Sequence, residues 1–149
     1  MNYQIQLIEN PNTSELLEIK ELFLEIFDEW KESWVLGTVQ CHNRVCLIKV
    51  MSADQKQVVG FKLGYAVSPR TFYSWLGGVA PTFRGQGLAR ETIVHLTKWC
   101  QKNGYEKITT KSMNKFKPMM ILNLKMGFDI VGTEVDQDGK DQVLFEKKL

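Results

Sequence analysis

The sequence predicts a mixed α/β (α+β) fold, in which helices cover the faces of a central sheet. Three observations lead to this prediction. The 149 residues, of which 44% are hydrophobic and 24% charged, suit one domain with one hydrophobic core. Several segments alternate apolar and polar residues as strands do, and two longer segments repeat apolar residues every three or four positions as helices do. We therefore expect a single domain over residues 1–149.

Charge and cysteine content argue against several classes of protein. A net charge of +2 with scattered Lys and Arg residues argues against a nucleic-acid partner. The three cysteines, Cys41, Cys46 and Cys100, lack the C-x-x-C spacing of zinc and redox sites and indicate thiols in a reducing compartment. No apolar run approaches the roughly 18 residues of a membrane span, and the N-terminus lacks a secretion signal. We expect no metal, no membrane partner and a cytoplasmic location.

The first part of the chain predicts a strand followed by an amphipathic helical segment. Residues 3–8 alternate as a strand does, and the turn at residues 10–14 offers N-cap side chains. A helix is predicted to begin near Ser14 and to break once before Trp34. Its apolar positions recur at spacings of three or four residues. They are Leu16, Ile19, Phe23, Phe27 and Trp30.

Two antiparallel strands are predicted next, at residues 45–51 and 58–67, joined by a polar loop. One face of the second strand carries small residues, Gly60, Gly64 and Ala66. Another group can therefore approach that face closely, and plain packing of a helix on the sheet would account for it equally well. The opposite face carries Val59, Phe61, Leu63, Tyr65 and Val67.

A strand at residues 72–80 is predicted to end at Pro81, and a helix over residues 87–103 is predicted to end before Gly104. The apolar positions of this helix are Leu88, Thr92 or Ile93, Leu96, Trp99 and Cys100. Four further elements complete the chain: a strand at 105–113, a short helix that Pro118 opens and Gly127 closes, and strands at 128–135 and 142–147.

A turn with two glycines, within residues 77–90, carries the most informative pattern. A strand ends there, Gly85 and Gly87 form the turn, and a long helix begins. A helix start leaves four backbone N–H groups unpaired, and glycines let a phosphate approach them. The turn has neither the G-x-x-x-x-G-K-[ST] nor the G-x-G-x-x-G pattern of other phosphate loops. It predicts an anion site suited to pyrophosphate, with an ordinary strand-to-helix turn as the alternative.

In context, the segment Val-Ala-Pro-x-x-Arg-Gly-x-Gly-Leu-Ala resembles the acetyl-CoA-binding motif of the GNAT superfamily of N-acetyltransferases. The family pattern R/Q-x-x-G-x-G/A is filled by Arg84, Gly87 and Ala89. A second family feature, a short helix that ends in Lys-x-Gly-Phe, is matched at residues 125–128. The resemblance covers essentially the whole chain and agrees with the order of elements read from the residues.

The resemblance implies a GNAT-like, mostly antiparallel sheet of about seven strands, in which the strand after Tyr105 splays from the one that ends at Val79 to form a CoA slot. It implies acetyl-CoA as co-substrate and transfer of the acetyl group to a primary amine by direct attack in a ternary complex. The alternative is a non-catalytic acyl-CoA-binding or sensing module of the same fold. The implied CoA-binding residues are Gly78, Val79, Ala80, Arg84, Gly85, Gln86, Gly87, Leu88, Ala89, Arg90, Asn114 and Asn123.

The resemblance assigns catalytic residues less completely than CoA-binding residues. A backbone N–H near Gly78 or Val79, at the strand bulge of the family, would stabilise the oxyanion. Many family members carry a Tyr that protonates the departing thiolate, and this sequence has Asn123 at that position. An amide can donate a hydrogen bond but cannot practically give up a proton. Asn123 would therefore stabilise the thiolate, position the pantetheine or have no catalytic role.

The general base is also not at its usual place, because residues 72–76 offer no carboxylate where family members often carry a Glu. The first helical segment, which borders the acceptor site in this fold, offers other carboxylates. These are Glu25, Asp28 and Glu29. Glu29 is the candidate base, with a solvated helix face or a water-relayed proton as alternatives. His42 and His95 are expected to be structural or exposed, and neither suggests a metal ligand.

Aromatic residues cluster where the acceptor would enter, between the first helical segment and the following strands. They are Trp30, Trp34, Tyr65, Tyr73 and Trp75. Such residues can hold a cation or form core, and core is the expectation for most of them. The resemblance implies a small-molecule or peptide amine as acceptor and, because dimers are common in the family, a possible homodimer. The sequence does not separate a polyamine, an amino acid, an aminoglycoside and a protein N-terminus.

Overall fold

A seven-stranded sheet forms the centre of the computed structural model, which describes residues 3–149. The strands are β1 (Gln4–Glu9), β2 (Val45–Met51), β3 (Val58–Ala66), β4 (Thr71–Val79), β5 (Lys107–Ser112), β6 (Asp129–Val135) and β7 (Asp141–Lys148). They lie in the order β1-β2-β3-β4-β5-β7-β6. Every neighbouring pair is antiparallel except β4 and β5, which are parallel. The predicted fold class is confirmed.

The α-helices found between residues 3 and 149 are α1 (Thr13–Leu17), α2 (Lys20–Ile26), α3 (Glu32–Gln40), α4 (Leu88–Lys102) and α5 (Lys117–Lys125). Short 3₁₀ turns precede α4 at Pro81–Phe83 and α5 at Asn114–Phe116. Outside the first helical segment, the predicted boundaries agree with these to within two residues. In this part of the chain no helix is both long and apolar enough to span a membrane.

The first helical segment consists of three short helices, so the prediction of one helix with a single break was wrong. The Asn12 side chain accepts a hydrogen bond from the Glu15 N–H at 2.8 Å, and the Glu15 carboxylate accepts one from the Asn12 N–H at 2.9 Å. This capping box fixes the start of α1. Phe27 adopts an extended backbone (φ −120°, ψ 148°) that ends α2. The apolar periodicity therefore reflects the packing of three short helices rather than one continuous one.

Two hydrophobic clusters hold the helices against opposite faces of the sheet. Along β2, Val45 and Leu47 belong to the first cluster while Cys46 and Ile48 belong to the second, as expected where side chains alternate along a strand. Helices α1 to α3 cover the first cluster, and α4 and α5 cover the second. The helix α4 buries all its predicted apolar positions, which are Leu88, Thr92, Ile93, Leu96, Trp99 and Cys100.

The small residues of β3 serve internal packing. A Cβ atom added at Gly64 would lie 2.5 Å from the carbonyl oxygen of Tyr73 and 2.6 Å from the ring of Phe72. Gly64 therefore permits the close approach of the neighbouring strand β4, and Gly60 permits that of the Val50 side chain on β2. The predicted grouping of Val59 with Phe61 was wrong, because a register shift at this end of β3 places Val59 in a separate cluster with Leu88.

A slot opens where β4 and β5 separate. Their pairing covers only residues 71–74 of β4 and 107–110 of β5. Beyond Ser74, β4 continues to Val79 along β3 alone, and β5 continues to Ser112 along β7 alone. The two strands therefore splay as the family resemblance implied, with the open end of the slot at Val79.

Candidate active site

The turn between β4 and α4 has the backbone conformation of an anion site. Gly85 (φ 81°) and Gly87 (φ 78°) both adopt the left-handed region that glycine tolerates best. Gly87 is the N-cap of α4, and no side chain caps this helix end. The first helical hydrogen bond runs from the Glu91 N–H to the Gly87 carbonyl at 3.0 Å. The turn therefore presents the positive end of the α4 dipole to solvent.

Six consecutive backbone N–H groups at this turn, those of residues 85–90, find no acceptor among residues 3–149. Residues 84–87 are exposed as well. The Arg84 Nε donates to the Val79 carbonyl at 3.1 Å, which ties the loop to the end of β4. The Tyr3 hydroxyl donates to the Gln86 side chain from the neighbouring N-terminal segment. A run of exposed, unpaired N–H groups at a helix start is suited to a phosphate or pyrophosphate.

The slot-facing edge of β4 offers further backbone donors. The Ala80 N–H donates to the Val59 carbonyl at 2.8 Å. Because N–H groups alternate in direction along an antiparallel pair, those of Gly77 and Val79 point away from β3 and into the slot. The N–H of Gly78 points toward β3. Of the two residues predicted to donate to the oxyanion, only Val79 therefore has an N–H that faces the slot. The N–H of Gly77 faces the slot as well.

The bulge of β4 lies at Trp75 and not at Gly78 or Val79 as expected. Leu63 pairs with Leu76 and Gly64 pairs with Ser74, so Trp75 is the extra residue on β4. The consecutive side chains of Trp75 and Leu76 consequently pack against the same cluster. A bulge depends on how two strands pair, and the sequence of one strand does not reveal that pairing.

Two asparagines predicted to bind the co-substrate lie on the far side of the slot. Asn123 of α5 is only 3% exposed. None of the hydrogen bonds between described residues uses its side-chain amide, although its backbone carbonyl accepts from the Phe128 N–H at 2.9 Å. Asn114 is exposed at the start of the 3₁₀ turn that follows β5. The Asn123 amide therefore retains its hydrogen-bonding capacity.

A buried lysine at the slot is the residue that sequence reasoning missed. Lys62, in the middle of β3, is 7% exposed, and its Nζ donates to the Ser74 hydroxyl at 3.2 Å. Burial lowers the pKa of Lys62 to about 8. Lys49 on β2 is also buried but pairs with the Glu18 carboxylate. The one available signal was a lysine inside an otherwise apolar strand, which requires a partner or a function.

The predicted base candidates occupy exposed positions. Asp28 and Glu29 lie in the segment after α2, so their assignment to the helix itself was wrong, while Glu25 lies on α2. The Glu29 carboxylate is 4.0 Å from the Lys31 Nζ, and its side chain is 70% exposed. Glu29 is therefore accessible to solvent.

The two histidines have local structural partners. The Nδ1 of His42 is 2.6 Å from the Thr38 carbonyl oxygen, and the ring lies against Tyr65 with centroids 3.8 Å apart. The Nδ1 of His95 is 2.8 Å from the Glu91 carbonyl oxygen. In the described range, no group of three or more His, Cys, Asp or Glu side chains is placed to hold a metal ion.

The aromatic residues near the predicted acceptor entrance form a partly open wall. Trp34 packs edge-on against Trp75 at 4.9 Å, and Tyr65 contacts both Trp75 at 5.6 Å and Tyr73 at 5.5 Å. Trp34 is 48% exposed, and none of the other predicted members is fully buried. Trp30, Tyr65 and Trp75 pack against the first hydrophobic cluster as partly buried residues, so most of these aromatics line the core without being enclosed by it. Burial raises the pKa of Tyr73 to about 12, with the neighbouring Tyr65 and Glu134 contributing, so its phenol stays protonated.

Comparisons with known proteins agree with this geometry. The model of the Acetyltransferase (GNAT) family matches residues 8–128. Ard1 from Thermoplasma volcanium has a TM-score of 0.84 at 14% identity, over 100% of this chain and 99% of its own. The ribosomal-protein-S18-alanine N-acetyltransferase from Escherichia coli has a TM-score of 0.80 at 16% identity, over 99% and 94% of the two chains.

A third similar structure contains the co-substrate. NAA60 from Arabidopsis thaliana, in complex with acetyl-CoA, has a TM-score of 0.79 at 16% identity, over 99% of both chains. A comparison with curated protein sequences gives no match. At these identities the structural likenesses establish the shared fold, whereas the family match rests on the sequence itself.

Proposed function

Because the chain belongs to the acetyltransferase (GNAT) family, we propose that it transfers the acetyl group of acetyl-CoA to a primary amine by direct attack in a ternary complex. The observation that carries the proposal is the run of six N–H groups at residues 85–90 without acceptors among the described residues, beside the open slot. A pyrophosphate satisfies such groups, and an extended arm can enter the slot.

The residues of the slot fit acetyl-CoA. The turn at residues 84–90 would hold the pyrophosphate, and the slot-facing edge at Gly77 and Val79 would hold the pantetheine arm through backbone hydrogen bonds. Ala80, whose N–H donates to Val59, offers no free donor on this edge. Asn114 would contact the arm from the other side, and the Asn123 amide would meet the sulfur at its end. The Val79 carbonyl already accepts from Arg84, so the N–H groups of Gly77 and Val79 are the free partners on this edge.

The chemistry that acetyl-CoA supplies is an acyl group on a good leaving thiolate. The protein must exclude water, orient the acyl carbon and stabilise negative charge on its oxygen. The slot-facing N–H of Gly77, the nearer of the two to the closed end, would meet the last need without any side chain. A free thiol has a pKa of about 8.5, so its departure near neutral pH requires only modest help.

The attacking amine must lose a proton. Glu29 is exposed on the segment after α2, which the family resemblance places beside the acceptor, and it would take that proton either directly or through water. The proposal does not depend on this assignment, because water molecules could carry the proton from the amine to solvent equally well. A Glu29→Gln variant that retained full activity over the whole pH range would assign the role to water.

The acceptor would approach along the aromatic wall of Trp34, Tyr65 and Trp75, where exposed aromatic faces attract an ammonium group. A small-molecule amine and a peptide N-terminus both fit this description. The S18-alanine N-acetyltransferase named above acts, by its name, on a protein alanine, which makes peptides a natural class to test. A homodimer and a cytoplasmic location stay predictions.

The deciding experiment measures release of free CoA thiol from acetyl-CoA with a panel of amines, amino acids, polyamines, aminoglycosides and N-terminal peptides, beside a calorimetric titration of acetyl-CoA. We expect micromolar-range binding and acceptor-dependent thiol release with one class. Binding without release for every class would favour the non-catalytic acyl-CoA-binding alternative. Absence of binding would contradict the proposed donor site.

Replacing Asn123 with alanine should lower turnover by about three- to tenfold, the worth of one hydrogen bond of about 1 kcal/mol. Binding of acetyl-CoA should be nearly unchanged, because the phosphate turn provides most contacts. The matched control is Ile121→Ala on the exposed side of the same helix, which should alter neither quantity. A large loss of affinity in Asn123→Ala would instead make Asn123 a pantetheine ligand.

A further inference from the structure

Lys62 lies beside the closed end of the slot. It pairs across the sheet with Gly77, and a Cβ added at Gly77 would be 3.3 Å from the Lys62 Nζ. The same Nζ donates to the hydroxyl of Ser74, which is the last residue of β4 that pairs with β5. The ammonium group therefore lies within contact distance of the edge of β4 at the point where β4 and β5 begin to separate.

The closed end of the slot is where the reacting end of the co-substrate would lie. The pyrophosphate site at the start of α4 marks the open end, next to Val79. From Val79 to Ser74, β4 spans five residue steps, or about 16 Å at most at the usual rise of a strand, with Gly77 between them and the Trp75 bulge shortening the span. A molecule anchored at the phosphate turn and extended along β4 would thus carry its reacting end past Val79 toward Gly77 and Ser74, beside the Lys62 Nζ.

Lys62 also lies on the correct face of the sheet. Ser74 shares a face of β4 with Phe72, which packs against Trp99 of α4. The helix α5, which carries Asn123, packs against this same cluster. Lys62 and Asn123 therefore lie on the same face of the sheet. The aromatic wall packs with the cluster on the opposite face.

We propose that Lys62 is a catalytic residue that donates its proton to the sulfur of the departing CoA thiolate. The inference rests on the proposed function. As the new C–N bond forms and the C–S bond breaks, the sulfur keeps the bonding electron pair and takes a proton from the Lys62 ammonium. The amine nitrogen releases its surplus proton to solvent or to a base, and Lys62 regains a proton from solvent. The step supplies the general acid that the amide of Asn123 does not provide.

The surroundings of Lys62 suit this role, because within residues 3–149 its Nζ is paired with a neutral hydroxyl and with no carboxylate. Its pKa is lowered to about 8 with burial as the single cause, which is close to the ordinary value of a thiol, about 8.5. Its cross-strand neighbour on β2 is Ile48. The buried positions of the helices over this face are uncharged, and Cys100 among them has its pKa raised to about 12 by burial. A buried ammonium group without a carboxylate partner is expected to serve a function.

The test measures the pKa of the thiol of bound CoA, from the ultraviolet absorbance of the thiolate, in the wild type and in Lys62→Met. An ammonium group within about 4–6 Å favours the thiolate. Loss of the Lys62 ammonium should therefore raise the pKa of the bound thiol, which lowers its acid dissociation constant by about tenfold or more. A complex with desulfo-CoA serves as the blank for exposed Cys41 and the tyrosines. Acceptor-dependent thiol release should fall by about a hundredfold.

The matched control is Lys49→Met, which removes the other buried lysine from the neighbouring strand. Lys49 faces the opposite side of the sheet and pairs with Glu18, so its loss should leave the bound thiol pKa unchanged. If Lys62→Met does not fold, the wild type suffices. The pKa of the Lys62 Nζ, followed by NMR with isotope-labelled lysine, should be higher in the CoA complex than in the desulfo-CoA complex.

The outcomes separate the two proposals. Calorimetry that detects no CoA binding to the wild type overturns both the proposed function and the role of Lys62. Binding of CoA with the same thiol pKa in the wild type and in Lys62→Met overturns the role of Lys62 alone. An equal shift in Lys49→Met would also overturn it, because the effect would then be a general one of net charge. A shift confined to Lys62→Met supports the assignment.

Discussion

Replacing Gly87 with glutamate is expected to abolish measurable binding of acetyl-CoA. The N–H groups of residues 85–90 face the site that the proposed function gives to the pyrophosphate, and the new carboxylate would stand beside two phosphates of the same charge. Such a juxtaposition costs about 3 kcal/mol or more, which corresponds to about a hundredfold loss of affinity. Isothermal titration calorimetry of the purified variant measures the effect directly.

The left-handed backbone of Gly87 calls for a matched control. Any other residue is strained at φ 78°, even though no atom lies within 4 Å of an added Cβ. Gly104, just past the other end of α4, has nearly the same backbone (φ 82°) and equally open surroundings. Gly104→Glu should therefore carry a similar strain of about 1–2 kcal/mol while it binds acetyl-CoA normally. Unchanged affinity in Gly87→Glu would contradict the assignment of the phosphate turn.

Replacing Gly64 with alanine should be the most destabilising single-methyl substitution that we foresee. The added carbon would meet the Tyr73 carbonyl oxygen at 2.5 Å and the Phe72 ring at 2.6 Å. Backbone cannot move aside as a flexible side chain can, so we expect a loss of about 3 kcal/mol or more in the free energy of unfolding. For a chain of this size, the melting temperature should then fall by about 6–12 °C.

The control for Gly64 is a glycine with room for a methyl group. Gly37 lies inside α3, and an added Cβ there meets no atom within 4 Å. Gly37→Ala should raise the free energy of unfolding by about 0.5–1 kcal/mol through helix propensity. Urea denaturation of both variants gives the comparison. A Gly64→Ala variant as stable as the wild type would mean that β3 and β4 can separate slightly at this point without loss.

Local patterns were sufficient for most of the fold. Alternation along the strands, the periodicity of α4 and the glycines of the phosphate turn are properties of neighbouring residues, and each predicted element outside the first helical segment lies within two residues of its place. The first helical segment failed because its periodicity is compatible with one helix or with three. The capping box at Asn12 and the extended backbone of Phe27 distinguish them.

The site was less predictable because its decisive features depend on how separate strands pair, which the pattern along any one strand does not reveal. The bulge at Trp75 depends on how β3 pairs with β4, and it decides which side chains share a face. The burial of Lys62 depends on how β3 packs between its neighbouring strands and against α4. A sequence indicates that a lysine interrupts an apolar strand, but only the packed structure indicates that its Nζ lies at the closed end of the slot.

The splay of β4 and β5 also affects the tendency of the chain to associate with itself. Residues 75–79 of β4 form a strand edge in the middle of the sheet, without a neighbour on one side in the described structure. Such edges accept strands from other chains and so promote aggregation. Acetyl-CoA bound in the slot as proposed above would cover this edge, so the co-substrate should reduce self-association of the purified chain.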